Sequence, residues 1–244
     1  MRCGVFVTGT GTGVGKTVVA AALLRALRRR GFDAIPMKPV QTGGSPGPNG
    51  LSAPDLDTSL GVADLGPDPP EYTLMAPYVY EPACSPHLAG RMDGNDVQAA
   101  RILQCADRLL KSHDALVVEG AGGVLVPINA EQTMLDLMVA LGLPVVLVGL
   151  PGLGTINHSL LSIHALRGAG LGVLGIIFCQ PEPLDHDFIT SDNPKTIAKF
   201  GRVEILGSIG YHQDLSPSNQ TAWDAIEHEI HGLDAIANRL KTGP

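Results

Sequence analysis

One stretch near the amino terminus restricts what this chain can fold into: Val5-Phe6-Val7-Thr8-Gly9-Thr10-Gly11-Thr12-Gly13-Val14-Gly15-Lys16-Thr17. An apolar run leads into a loop of Gly and Thr, then into Gly-Lys-Thr and an amphipathic pattern over residues 18–30. Strand, glycine loop and helix in that order are the context of a phosphate-binding loop. Glycines let successive backbone N–H groups face one anion, and the helix start adds partial positive charge. Gly13, Val14, Gly15, Lys16 and Thr17 are therefore candidate nucleotide contacts. Lys16 can reach terminal phosphates, and the Thr17 hydroxyl suits Mg²⁺. The loop departs from the usual spacing, since five residues separate Gly9 from Gly15-Lys16.

The rest of the chain alternates in kind. Apolar runs predict strands at 3–8, 34–39, 115–119, 145–150, 172–179 and 204–208. Helical patterns fall at 16–30, 95–111, 133–141, 155–168 and 193–200, with a closing helix over 227–240. Continuous Val/Ile/Leu strands are those of a parallel sheet covered on both faces. The expected fold is a doubly wound, mostly parallel α/β sheet with helices on both faces, P-loop NTPase-like, as a single domain over 1–244. Residues 45–50, rich in Pro, Gly and Ser, read as a mobile loop.

Composition narrows the partners. The 244 residues are 44% hydrophobic and 17% charged, as in ordinary globular proteins. A net charge of −7 with no long basic run argues against nucleic acid, and no apolar run approaches a membrane span. Arg28-Arg29-Arg30 reads as a solvated helix end. Four cysteines without a C-x-x-C pair, and no leader pattern, predict a reduced, cytoplasmic protein.

Strand ends are where the chemistry of such a sheet collects. Lys38 closes the second strand, before Pro39 and Gly43. It is either a second cation facing a phosphoryl group or a snorkelling surface lysine. Asp55 and Asp57 offer either helix capping or a carboxylate for Mg²⁺. Glu119 ends an apolar strand where a Walker-B acid would lie, and Gly120-Ala121-Gly122-Gly123 let backbone approach a ligand. Gly154, Thr155, Ile156 and Asn157 begin a helix whose N–H groups suit a carboxylate. No His/Cys cluster has zinc spacing, and Ser159 stands on no nucleophile elbow.

Taken in order, the glycine loop, Lys38-Pro39-Val40-Gln41-Thr42-Gly43, Glu81-Pro82-Ala83-Cys84-Ser85-Pro86-His87, Val118-Glu119-Gly120-Ala121-Gly122-Gly123 and Leu153-Gly154-Thr155-Ile156-Asn157-His158 closely resemble the dethiobiotin synthetase family, which shares the five-residue loop spacing. The resemblance implies ATP-dependent ligase chemistry in biotin biosynthesis. Carbon dioxide and one amine of 7,8-diaminononanoate form a carbamate, MgATP phosphorylates it, and the second amine closes the cyclic urea. It implies Lys16 on the phosphates, with Thr17, Asp55 and Glu119 around Mg²⁺. Lys38 would face carbamate and γ-phosphate, and Thr12 and Thr42 would bind carbamate and amines. Pro86, Gly120 and Gly122 would line the substrate pocket. Residues 154–157 would capture the substrate carboxylate from the second subunit of a homodimer, with Asn193 a further cross-subunit candidate. Some members read adenine with an Asn where this chain has Cys179, followed by Gln180. A thiol lacks the amide's paired donor and acceptor, so base selectivity is expected to be weak or to fall to Gln180. The competing expectation is a dimeric P-loop ATPase switch of the partitioning type, although the loop lacks the additional Lys those switches usually carry.

Overall fold

The structure is a computed structural model that describes residues 2–47, 50–183 and 188–242. In chain order its elements are β1 (Gly4–Gly9), α1 (Lys16–Arg29), β2 (Ala34–Met37), β3 (Val40–Thr42), β4 (Ser45–Gly47), β5 (Gly50–Ser52), α2 (Pro54–Val62), α3 (Pro69–Met75) and β6 (Tyr78–Tyr80). They continue with α4 (Pro86–Asp93), α5 (Ala99–Leu109), β7 (Ala115–Glu119), α6 (Met134–Leu141), β8 (Val145–Gly149), α7 (Thr155–Gly168), β9 (Val173–Cys179), α8 (Phe188–Gly201), β10 (Ile205–Ile209), α9 (Gln220–Glu229) and α10 (Leu233–Thr242).

A six-stranded sheet, ordered β10-β9-β8-β1-β7-β2, forms the centre, and every neighbouring pair is parallel. Strand alternation divides its side chains between two cores. Val5, Val7, Val117, Val146 and Val148 face α1, α9 and α10. Phe6, Leu116, Val118, Leu147 and Phe178 face α5, α6, α7 and α8. This is the doubly wound, P-loop NTPase-like sheet expected from the apolar runs. β1 lies between β7 and β8, where the strand order turns outward both ways. The loop after β1 therefore sits at the crevice such sheets form at their carboxyl ends.

Several local expectations change. Part of the expected 45–50 loop is paired: Ser45–Gly47 and Gly50–Ser52 form an antiparallel ladder. The closing helix is two helices. α9 ends at Glu229, the Gly232 N–H bonds to Leu206 O, and α10 starts at Leu233. A Cβ on Gly232 would lie 2.4 Å from Leu206 Cδ2, so only glycine lets the break rest on β10. The eighth helix starts earlier than expected, at Phe188, with Pro194 inside it. Arg28, Arg29 and Arg30 form the basic, solvated end of α1 as expected, with Arg29 and Arg30 exposed, and they make surface ion pairs with Asp33, Asp224 and Asp234, respectively. Buried Arg25 adds contacts to Asp224, Glu227 and Gln220, which bind α1 to α9.

Candidate active site

The glycine loop turns directly off β1. Gly13 and Gly15 have φ of 73° and 90°, a backbone that L side chains rarely adopt. Gly15 caps α1 with no side-chain hydrogen bond, and the first helical turn carries no acid. The helix start thus keeps the donors and partial charge that favour an anion. Thr12, Gly13, Gly15, Lys16 and Thr17 line a cavity of about 800 Å³. Val14 is instead buried, its side chain packed in the α1 core.

Three further strand and helix ends meet this cavity. Lys38 follows β2, and its N–H is fixed to Met75 O at the end of α3. Its Nζ lies 2.7 Å from Glu119 Oε1 at the end of β7 and 2.7 Å from Asp55 Oδ2 in the first turn of α2. The Thr17 hydroxyl donates to the same Glu119 Oε1 at 2.9 Å. Lys38 and Glu119 are each 4% exposed, so the snorkelling alternative for Lys38 is excluded. Asp57, the other candidate acid, points away and accepts a hydrogen bond from the Tyr72 hydroxyl at 2.7 Å.

The electrostatics follow from this packing. Burial, and secondly the like charge of Lys38, lower the Lys16 pKa to about 8. Its ammonium donates to Gly11 O at 2.7 Å. Burial also works against charge on Lys38, but Glu119 and Asp55 outweigh it and raise its pKa. Burial raises the Glu119 pKa; Lys38 opposes that shift and Asp55 adds to it. One hydroxyl and two carboxylates converge here. Among the described residues no group of three His, Cys, Asp or Glu side chains is placed to hold a metal. Few protein oxygens beside a phosphate site fit Mg²⁺, which keeps several waters and phosphate oxygens as ligands.

The opposite wall comes from β3 and the start of α4. Thr42, Gly43, Ser85 and Pro86 line the cavity with Gly122. Gly120 stays behind the wall, where a Cβ would press on Phe6 at 2.9 Å. Sequence reasoning passed over Gln41. It is buried, accepts from the Asp55 N–H through Oε1 and donates to Thr42 O through Nε2. Its place beside Thr42 in the stretch after Lys38 was the only signal available.

Other expected residues lie apart from the cavity. Cys179 is buried under the loop: a Cβ on Gly15 would lie 2.3 Å from its Sγ. Burial, with Glu229 nearby, pushes its thiol up to about 12. Gln180 is buried with its N–H on Ile209 O, and Pro181 reaches the cavity wall. Residues 154–157 begin α7 beyond the cavity. Gly154 caps this helix at φ 88°, again with no side-chain cap and no acid in the first turn. Thr155 is buried, with its hydroxyl 3.4 Å from that of Ser159, and Ile156 is half-buried. Asn157 is exposed. Asn193 acts within its own chain, donating to Pro151 O and Gly152 O and fixing the turn before α7.

The parallel sheet, the glycine loop off its central strand and the basic and acidic groups around it define a P-loop NTPase-like protein. Solved structures agree on the fold. The MinC:MinD cell division complex of Aquifex aeolicus superposes with a TM-score of 0.62 at 12% identity, covering 98% of this chain and 96% of that one. MinD with Mg-ADP from Pyrococcus horikoshii gives 0.57 at 16%, covering 99% and 96%. The sequence is more specific. A family model described as an AAA domain matches residues 3–219. The ATP-dependent dethiobiotin synthetase of Anaeromyxobacter sp. (strain K) is 42% identical over 87% of this chain and 92% of its own. That of Thermodesulfovibrio yellowstonii is 36% identical over 88% and 92%. The chain belongs to the dethiobiotin synthetase family.

Proposed function

We propose that this protein is an ATP-dependent dethiobiotin synthetase, a carbon–nitrogen cyclo-ligase that converts 7,8-diaminononanoate, CO2 and ATP to dethiobiotin, ADP and phosphate. One observation carries the reading: Lys16, Thr17, Lys38, Asp55 and Glu119 line one cavity with Thr12, Thr42 and Pro86, leaving room for a nucleotide tail and a small diamine. The loop N–H groups and Lys16 bind the β- and γ-phosphates. Thr17, Asp55 and Glu119 hold Mg²⁺, which neutralises phosphate charge when bound. Lys38 lies close enough to stabilise charge on the carbamate and the transferred phosphoryl group. Thr12 and Thr42 orient the carbamate and the free amine, which attacks the carbamic–phosphoric anhydride and expels phosphate. Carbamate is a poor electrophile, so the phosphate leaving group makes ring closure feasible, and the chain's task is mainly positioning.

The α7 start supports a homodimer in which residues 154–157 of each chain receive the substrate carboxylate bound to the other. Residues 154–157 do not line the chain's own cavity, and Leu153 beside them is 91% exposed. Cys179 lies under the loop, so base contacts fall to the segment from Gln180 to Pro181 and base selectivity is weak. The four cysteines are free thiols, as in a cytoplasmic protein. No helix among the described residues is long and apolar enough to cross a membrane. The partitioning-switch reading keeps only a likeness of fold. Phosphate release measured with and without diaminononanoate and bicarbonate separates the two. The ligase requires both, whereas slow release indifferent to the diamine would overturn the proposal.

A further inference from the structure

The oxygens assigned above to magnesium are bridged by a side chain of the protein itself. Lys38 Nζ lies 2.7 Å from both Asp55 Oδ2 and Glu119 Oε1. Its remaining acceptor is Gly120 O at 3.3 Å. Buried Glu119 and half-buried Asp55 share that one ammonium, and two carboxylates held this close favour a cation between them, since like charges in a partly desolvated site repel. Lys16 does not serve, because its ammonium is turned onto Gly11 O. Magnesium binds oxygens at about 2.0–2.1 Å. An ion placed on the side of those two oxygens that Nζ occupies would overlap it, so lysine and metal compete for that position.

We propose that Lys38 is an exchangeable counter-ion: it holds Asp55 and Glu119 together until a nucleotide-borne divalent cation displaces it, and displacement turns its ammonium toward the reacting groups. This rests on Thr17, Asp55 and Glu119 being the metal ligands. The exchange makes metal binding without nucleotide weak, because the ion must first break a buried pair. It also couples presentation of Lys38 to arrival of the loaded nucleotide, so the phosphoryl-facing cation is in place only when there is a phosphoryl group to face.

The test uses Mn²⁺ alone as probe, with no nucleotide, counting free ion by electron paramagnetic resonance. Lys38→Met should bind one Mn²⁺ per chain at least tenfold more tightly than wild type, and Lys38→Arg should not. In chelator the Lys38→Met melting temperature should fall by about 10 °C, the scale expected when a buried pair loses one partner. Mn²⁺ should restore it, while the wild type barely responds. Equal Mn²⁺ affinity in wild type and Lys38→Met would overturn the exchange. Asp55→Ala and Glu119→Gln, added to Lys38→Met, should each abolish the gain; if neither does, the ligand assignment fails and the exchange falls with it. Should Lys38→Met not fold in chelator, Lys38→Gln is read the same way. Folding of either variant that is rescued by Mn²⁺ supports the proposal, and folding that no concentration of Mn²⁺ restores contradicts it.

Discussion

Lys16 illustrates how a single side chain ties the site to pH. Its pKa of about 8 reflects burial first and Lys38 second. The charged form binds phosphate, so below that value the ammonium is already in place. Above it, binding must take up a proton, and nucleotide affinity should fall by about tenfold per pH unit until the bound form itself titrates. Calorimetry at pH 7 and pH 9 in buffers of different ionisation heat measures both the affinity and the proton. A flat affinity to pH 9.5 would contradict the burial account. Asp55 and Asp57 make a second test. Asp55→Ala should raise the Mg²⁺ needed for half-maximal turnover at least tenfold. Asp57→Ala should leave it unchanged, because that carboxylate serves Tyr72. Glu119 was legible in the sequence as an acid ending a buried strand where a Walker-B carboxylate lies, whereas Lys38 stood open between a phosphoryl-facing cation and a snorkelling lysine until the resemblance favoured the first. The choice between Asp55 and Asp57 was not legible, because it depends on contacts from Gln41 and Tyr72, which sit on other elements.

At the scale of elements, period and apolar runs revealed the long strands and α1, whose side chains meet neighbours close in pattern. The three-residue strands β3 and β6 were not legible, since they exist by pairing with each other across a long loop. Nor was the break between α9 and α10, which a contact with β10 imposes on an otherwise helical pattern. Gly232→Ala should cost about 1–3 kcal/mol, because the new Cβ would meet Leu206 Cδ2, Cβ and Cα at 2.4, 2.8 and 3.1 Å. Gly168→Ala, at the end of α7 with nothing within 4 Å of its Cβ position, should be neutral or stabilising. Denaturant midpoints of the two variants decide the matter; equal midpoints would mean that the 230–232 segment is not held against β10.

For the whole molecule, the sheet order brings three distant stretches of sequence to one crevice, and the glycine loop announced where that crevice would be. Association of chains is less visible in sequence, because exposed apolar residues become informative only on a surface. Leu153, Leu161 and Phe200, on the turn before α7, on α7 and on α8, are all largely exposed. Large apolar side chains left open on the turn before α7, on α7 and on α8 fit a subunit contact. Light scattering should therefore give a mass near twice 25.5 kDa, and Leu153→Glu with Leu161→Glu should give monomers with greatly reduced turnover. A wild-type monomer with full turnover would remove the shared-site proposal.

The central claim is that the cavity phosphorylates a carbamate rather than activating water. Single-turnover reactions with diaminononanoate, ATP and freshly dissolved C¹⁸O2, followed by mass spectrometry of the phosphate, test it most directly. Attack by a carbamate oxygen on the γ-phosphorus, then ring closure, leaves one ¹⁸O in each phosphate released. Phosphate carrying no ¹⁸O, its one new oxygen drawn from solvent water, formed at the same rate without the diamine, would contradict the account.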